Sequence, residues 1–393
     1  NSLNKETLVM EVSDDAQREH ISISTKNYRE IERNKNKILL PSILKEGFKN
    51  PIILLGAGAC NILKNGKILK YLNKLEIPIA LTWGGQKLQS KVKNIGLFGR
   101  HSYGRANDYI FNADLVIAVG CSLLQHQAGK SGVKFARKAK IAFVNKDKNE
   151  IARSKEFFGK RFYGIENNSI NFFNEYSKIK NKYIMQQQTL ELIEKNRKLH
   201  SNPILPVKII HKFLSRLNDN CIVFADAGAT LSWTYQAANL LKKCCQISTA
   251  FNLHPMGYAN CAAVGAAIES KKKILVIIGD GSIPMNSQEL AWCKNYDIKF
   301  LVIDNQGYGI IRQMQKSYYD SNFFGSDFKS KKSFLPNFSV KKIVESYGIK
   351  TIQSSEKKIK TMQIKNLLDT KGSKALICKI DYLHQVREDN NIN

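Results

Sequence analysis

Short apolar runs recur along the chain, each closed by glycine or a polar turn and separated from the next by a longer mixed stretch. In the first half they are "PIILLGAGA" from Pro51, "IPIALTW" at 77–83, "ADLVIAVG" at 113–120 and "KIAFVN" at 140–145. In the second half they are "CIVFADAG" at 221–228, "KKKILVIIGD" at 271–280, "IKFLVIDN" at 298–305 and "KALICKID" at 374–381. Runs of this length, rich in Val and Ile and bounded by turn residues, predict buried strands, and the segments between them are long enough for helices. Alternation of the two predicts an α/β protein with two doubly wound, mostly parallel-sheet domains. The polar stretch ending in "SNPILP" predicts a connection between them. The expected division is a lead-in over 1–44, a first domain over 45–180, a linker over 181–204, a second domain over 205–386 and a frayed tail over 387–393.

One segment carries candidate chemistry. "GDGSIPMNSQELAWCKNYDIKFLVIDNQGYG", residues 279–309, reads as a turn, a helix over "NSQELAWCKNYD" and a strand, so with the run before it the unit is strand, helix, strand. Such units cross over right-handed and leave parallel strands, about 4.8 Å apart when directly paired. Asp280 and Asn305, 25 residues apart, then both stand at carboxyl ends of strands, the edge where open α/β sheets bind ligands. Gly279 and Gly281 let the backbone turn beside Asp280 and approach a ligand closely. Asn286, three before Glu289, is placed to cap the helix that follows, and a helix N-terminus offers free N–H groups to an anion. A carboxylate at an exposed strand end, an amide oxygen, a nearby carbonyl and phosphate oxygens make an all-oxygen shell, which suits Mg²⁺ and not zinc.

Composition narrows the setting. At 393 residues the chain is long enough for two domains with their own cores. No run reaches the roughly 18 apolar residues of a membrane span, and no basic-then-apolar leader opens the chain. The eight cysteines show no C-x-x-C spacing, so neither zinc nor a disulfide framework is expected, and a reducing cytoplasm fits. A formal charge of +28 taken alone suggests nucleic acid. The lysines, however, are scattered among asparagine and isoleucine, so a background bias is the better reading, with steering of anionic substrates as its consequence.

"GDGS" followed by "DNQGYG" resembles the thiamine diphosphate signature, and "MNSQELAW" with "NQGYGIIRQMQ" is similar to acetolactate synthase large subunits. The first of the two asparagines usual at the far end is Asp304 here; the second is Asn305. The resemblance runs from about residue 45 onward. It implies a central Rossmann-like domain followed by a thiamine-diphosphate-binding domain, with Asp280, Asn305 and Gly307 on Mg²⁺ and Gly279, Gly281 and Ser282 beside the cofactor. "DAGATLSW" resembles the loop whose N–H groups hold the diphosphate, at Gly228, Ala229 and Thr230, and the Thr230 hydroxyl adds a possible donor. "HPMGYANCAAVGAAI" resembles the segment under the aminopyrimidine ring: Met256 falls on the apolar wedge that bends the cofactor, and the His254 carbonyl on the acceptor for its exocyclic amine. Met314 falls where acetolactate synthases have a tryptophan shaping the acceptor pocket, which opens other 2-keto acids. "GLFGRHSYGRAN" matches a central stretch where some members hold FAD. At "CSLLQHQ" flavin-containing relatives carry an arginine and paired acidic residues, and that departure argues against FAD. "GAGACN" has Asn61 where a dinucleotide fingerprint has its third glycine, so a plain strand-to-helix turn is expected. His101 and His126 could be polar pocket residues or ordinary surface and loop histidines.

The resemblance also implies what the 393 residues do not contain. "ETLVMEVSDDAQ" resembles only the last strand of the N-terminal pyrimidine-binding domain, and Glu6, Glu11 and Glu19 sit in the wrong element to be its activating glutamate. The expected protein is a thiamine-diphosphate- and Mg²⁺-dependent lyase or carboligase acting on a 2-keto acid, seen here as a fragment. A homodimer or tetramer would bring in the absent domain from a full-length chain or a partner, with neither nucleic acid nor membrane involved. A simple decarboxylase and a non-catalytic cofactor-binding or scaffold subunit are the alternatives.

Overall fold

The computed structural model describes residues 40–102, 105–129, 132, 134–179, 203–241, 245–251, 253–329 and 335–387, all within one compact unit, Ile38–Asn393. Expectations for the lead-in over 1–39, for most of the linker and for the end of the tail lie outside these residues.

Five strands form the first sheet: β1 (Pro51–Leu55), β2 (Ile79–Leu81), β3 (Leu115–Val119), β4 (Lys140–Asn145) and β5 (Phe162–Glu166), in the order β2-β1-β3-β4-β5. Six form the second: β6 (Cys221–Ala225), β7 (Gln246–Ser248), β8 (Lys273–Gly279), β9 (Ile298–Asp304), β10 (Lys350–Ser355) and β11 (Lys374–Lys379), in the order β10-β11-β9-β8-β6-β7. Every pairing is parallel. The two doubly wound sheets expected from the pattern are therefore present. Every residue of β1 and β3 is buried, as parallel strands covered on both faces require. β8 and β9 are direct neighbours, Gly279 lying opposite Ile303.

Strand order locates the functional edge. In the second sheet the chain leaves β6 toward β7 on one side and resumes at β8 on the other, so the direction of winding reverses between β6 and β8. A crevice opens beyond the carboxyl ends of strands at such a reversal.

The helix expected after Asp280 is not formed as read. Asp280–Glu289 is a 3₁₀ segment containing Pro284, and only Leu290–Cys293 is α-helical. Asn286 leaves the helical region entirely (φ −135°, ψ 48°), and neither segment has a side-chain cap. Proline removes a donor from the turn. Asn286 instead packs on Gly257, so tightly that a Cβ there would meet its Nδ2 at 2.8 Å.

The two sheet domains meet along a defined seam. Gln86 and Gln89, both buried, reach from the first domain to backbone of the second: Gln86 Nε2 donates to Cys245 O (3.0 Å), and Gln89 Nε2 donates to Ala238 O (2.9 Å) and Leu241 O (2.8 Å). Trp83 stacks flat on Tyr235, ring centroids 4.5 Å apart. Leu97 N donates to Asn239 Oδ1 at 2.7 Å. The second-domain side of most of these contacts is the helix Ala229–Asn239.

Candidate active site

A cavity of about 470 Å³ occupies the crevice between β6 and β8. Its walls come from the turn after β6 (Gly228, Ala229, Thr230), the loop carrying His254 and Met256, and the turns after β8 and β9. Gly279, Asp280, Gly281, Ser282, Asn305 and Gly307 all line it. Met314 does not: it lies half-exposed on the outer side of the helix Gly309–Tyr318. Trp233, Met285 and Tyr308 also line the cavity. All three belong to the motif stretches already singled out, but nothing in the sequence distinguished them from core residues.

At the corner beyond β8 and β9, three side-chain and backbone oxygens converge. Asp280 is 2% exposed, not the exposed strand-end residue that its position suggested, and its Oδ2 accepts the Gly307 N–H at 3.0 Å. The Asn305 amide faces Gly307 O at 2.7 Å and Asp280 Oδ1 at 3.1 Å. With the oxygen of that amide turned inward, it stands about one octahedral edge from each of the other two oxygens, since Mg–O bonds of about 2.05 Å give cis oxygens roughly 2.9 Å apart. With the amide turned over, its nitrogen donates to both neighbours and its oxygen accepts from Arg312 at 3.2 Å. The corner therefore has one arrangement complementary to a small hard cation and another that satisfies it without one, and the residues fit Mg²⁺. Among the described residues no cluster of three or more His, Cys, Asp or Glu could hold a metal, as expected where one carboxylate works with amide and backbone oxygens. Burial pushes the Asp280 carboxyl up to about 7, the nearby Asp304 adding to the shift. A bound dication would reverse that cost. Gly307 is held at φ +156°, and a Cβ there would lie 2.2 Å from Ser326 O, so the residue supplying the third oxygen has no room to be other than glycine.

The opposite wall is a helix N-terminus. Gly228 precedes the helix Ala229–Asn239 at φ +84°, and no side chain caps the first turn. Uncapped N–H groups at the start of a helix suit an anion. The Thr230 hydroxyl is not a further donor into the cavity: it is within hydrogen-bond reach of Ala227 O (3.0 Å) and Asp226 O (3.3 Å), the carbonyls one turn back.

Between these walls runs the His254–Met256 loop. Its hold is Asp226, fully buried at the end of β6, whose carboxylate accepts the N–H groups of Gly257 (3.0 Å) and Ala259 (2.9 Å) at the start of the helix Tyr258–Glu269. Burial raises the Asp226 carboxyl, and these bonds oppose the rise. His254 sits at φ +47°, a conformation costly for a residue with a Cβ.

His101, from a turn of the first domain, and His126, from its short helix Gln125–Ala128, stand in a row with His254. Ring centroids are 6.1 Å apart from His101 to His126 and 5.5 Å from His126 to His254. Sequence separation concealed this arrangement.

The turn after β1 was the other candidate for a phosphate ligand. It lies where the winding of the first sheet reverses, between β1 and β3. Its amides are taken: Gly56 N donates to Val119 O and Gly58 N to Gly120 O, both at 3.0 Å. A Cβ on Gly56 would lie 2.2 Å from Gly120 O. The two turns are thus closed on each other, and the geometry does not fit a dinucleotide pyrophosphate at that point.

Comparison with known proteins identifies both sheet domains. Residues 226–378 match the C-terminal TPP binding domain of thiamine pyrophosphate enzymes and residues 44–158 match their central domain, together more than half of the chain. The chain is similar to the acetolactate synthase large subunit of Cyanidium caldarium (27% identity, covering 89% of this chain and 60% of the relative). It is similar also to the acetolactate synthase isozyme 1 large subunit of Escherichia coli strain K12 (23%, 85% and 59%) and to acetolactate synthase 1, chloroplastic, of Nicotiana tabacum (27%, 86% and 52%). It spans about three fifths or less of the length of these relatives. Among the described residues no helix is long and apolar enough to cross a membrane.

Proposed function

The chain belongs to the thiamine pyrophosphate enzymes, and from that premise we propose that it is the central and diphosphate-binding part of a Mg²⁺-dependent lyase or carboligase acting on a 2-keto acid, similar to acetolactate synthase. The observation that carries the proposal is the convergence of Asp280, Asn305 and Gly307 oxygens opposite the uncapped turn at Gly228, across one cavity. A diphosphate bridged by a dication needs these two walls together. Asp280, Asn305 and Gly307 would hold Mg²⁺, the Gly228–Thr230 turn would hold phosphate oxygens, and Met256 would support the bent cofactor between its rings. The bound cofactor supplies an electron sink for the carbanion left by decarboxylation. The protein's share is placement: Asp226 fixes the loop under the ring, Gly307 brings its carbonyl to the metal, and the half-enclosed cavity limits water. The activating glutamate is assigned to a pyrimidine-binding domain outside these residues. In this reading a second protomer or a longer chain completes the site.

Two measurements test it. Calorimetric titration of thiamine diphosphate into the protein should show binding with Mg²⁺ and none with EDTA. Once a pyrimidine-binding domain is supplied, incubation with pyruvate and 2-ketobutyrate should give a longer-chain product. Acetaldehyde as the sole product would identify a simple decarboxylase, and binding indifferent to Mg²⁺ would overturn the site.

A further inference from the structure

The histidine row leads outward from the cofactor cavity and is built by both domains. His254 lines the cavity itself. His126 lies next to His254 on the short helix Gln125–Ala128 of the first domain, and His101 follows on a turn of the same domain. Three of the chain's seven histidines are thereby gathered at one seam, and each is placed by a specific device. Arg100 N donates to His126 O at 2.8 Å, tying the turn that carries His101 to the short helix that carries His126. Gly99, at φ +127°, passes so close that a Cβ would lie 2.8 Å from that same His126 oxygen. His101 is held from the other side: its Nδ1 is 2.9 Å from Ser232 Oγ, and its carbonyl accepts from Gln236 Nε2 at 2.8 Å. Ser232 and Gln236 lie on the helix whose first turn faces the proposed diphosphate site. His254 reaches the row from its left-handed backbone position, its own N–H bonded to Ala250 O at 2.9 Å.

The electrostatic surroundings of the row are one-sided. The charged neighbours that act on His126 are His101 and Arg100, and those that act on His254 are His126 and His101. Burial and these cationic neighbours push both imidazoles below their ordinary 6.5. His126 and His254 therefore sit near a guanidinium in surroundings that disfavour adding positive charge to either ring until a negative charge arrives. An anion entering there would gain charge-assisted hydrogen bonds and would relieve the repulsion between neighbouring rings.

We propose that the His101–His126–His254 row, with Arg100, is the carboxylate-recognition face of the cavity and holds the acid group of a 2-keto acid beside the cofactor. The proposal rests on the function proposed above for the substrate class. Within it, His254 and His126 make the contact, and His101 is a positioning residue fixed by Ser232. The row selects for an anionic substrate over a neutral carbonyl compound of the same size.

The test uses the full 393-residue chain with ¹³C- and ¹⁵N-labelled histidine. Thiamine diphosphate and Mg²⁺ are added first, and their binding is measured by calorimetry in the same samples. Pyruvate is then titrated while the histidine ring signals are followed by NMR, with acetone as the neutral control. The expected result is that pyruvate, and not acetone, moves the signals of His126 and His254 toward the imidazolium position. His126→Phe should weaken apparent pyruvate affinity about tenfold or more, the range set by losing one charged hydrogen bond, and His126→Arg should restore much of it. Failure of the cofactor to bind would overturn the function proposed above. Cofactor binding with pyruvate affinity unchanged in His126→Phe, or ring signals that acetone moves equally, would overturn the row's role alone.

Discussion

The carboxylate of Asp280 accepts the backbone N–H of Gly307 at 3.0 Å, joining the turn after β8 to the turn after β9 across 27 residues. One side chain therefore serves the proposed metal corner through one oxygen and the fold through the other. Asp280→Ala should abolish Mg²⁺-dependent cofactor binding and also lower stability, because a buried N–H without a partner costs about 1–3 kcal/mol. Asp280→Asn keeps an acceptor for Gly307 and should lose the metal with a smaller loss of stability. Calorimetry with denaturant unfolding separates the two effects. An alanine variant that binds cofactor with Mg²⁺ as the parent does would remove Asp280 from the site.

Asp226 offers a second dissection. Its carbonyl lies 3.3 Å from the Thr230 hydroxyl and its carboxylate accepts from the Ser282 side chain, but the loop groups it holds, from a fully buried position, are the N–H groups of Gly257 and Ala259. Asp226→Ala leaves two N–H groups buried and unpaired, for a cost of roughly 2–6 kcal/mol at 1–3 each. The displaced loop should weaken binding of thiamine diphosphate more than that of inorganic pyrophosphate with Mg²⁺, which needs no support for a ring. Equal weakening of the two ligands would show that the loop is not under the ring.

Met314 leads to an expectation opposite to the one its sequence position suggests. Half-exposed on the Gly309–Tyr318 helix and outside the cavity walls, it should tolerate substitution. Met314→Ala should leave thiamine diphosphate affinity within about twofold and stability within about 0.5 kcal/mol. Met314→Trp should leave the competition between acceptors unchanged. A shift in either quantity would mean that the helix turns inward when the site is complete.

The pH response of the ligand-free protein follows from the histidine row. Because the folded state holds His126 and His254 below 6.5, the unfolded chain takes up protons first as pH falls. The stability linked to these rings is present above the unfolded value and is lost on acidification through the window below it. The buried Asp280 carboxyl, raised to about 7, acts in the opposite sense over the same range, so the row is read by difference: between about pH 7 and about 5.5 the parent should lose more stability, or gain less, than His126→Phe. An unchanged slope in the variant would show that the row does not titrate with folding.

Much of this architecture was legible before the structure, and the exceptions share a cause. The eight strands read from apolar runs are the interior strands of both sheets together with β2. The strands that escaped notice, β5, β7 and β10, all lie at sheet edges. An edge strand is covered less completely, and "FYGIE", "QIS" and "KTIQSS" accordingly carry glycine or polar residues where a central strand would be uniformly apolar. The cavity residues were found because motif glycines and carboxylates cluster within short segments. The three-histidine row was not, because His101, His126 and His254 belong to segments separated in the chain, and His254 joins the other two only through the seam. The burial of Asp280 was missed for a similar reason: the neighbouring turn that covers it arrives 27 residues later.

The helix Ala229–Asn239 begins at the turn proposed to hold phosphate and carries the seam contacts of Tyr235 and Asn239 along its flank. At 1.5 Å per residue its eleven residues span about 16 Å, so a single stiff rod has the ligand at one end and the neighbouring domain along its side. Such a rod makes the domains poor candidates for independent exchange in evolution. A central domain borrowed from a relative would arrive with its own partner for Tyr235 and its own substitutes for Gln86 and Gln89. Any misfit would be transmitted along the helix to the phosphate turn. Recombinants that keep the two domains but not the matching helix face should therefore be recognisable by lost cofactor affinity in an otherwise folded protein.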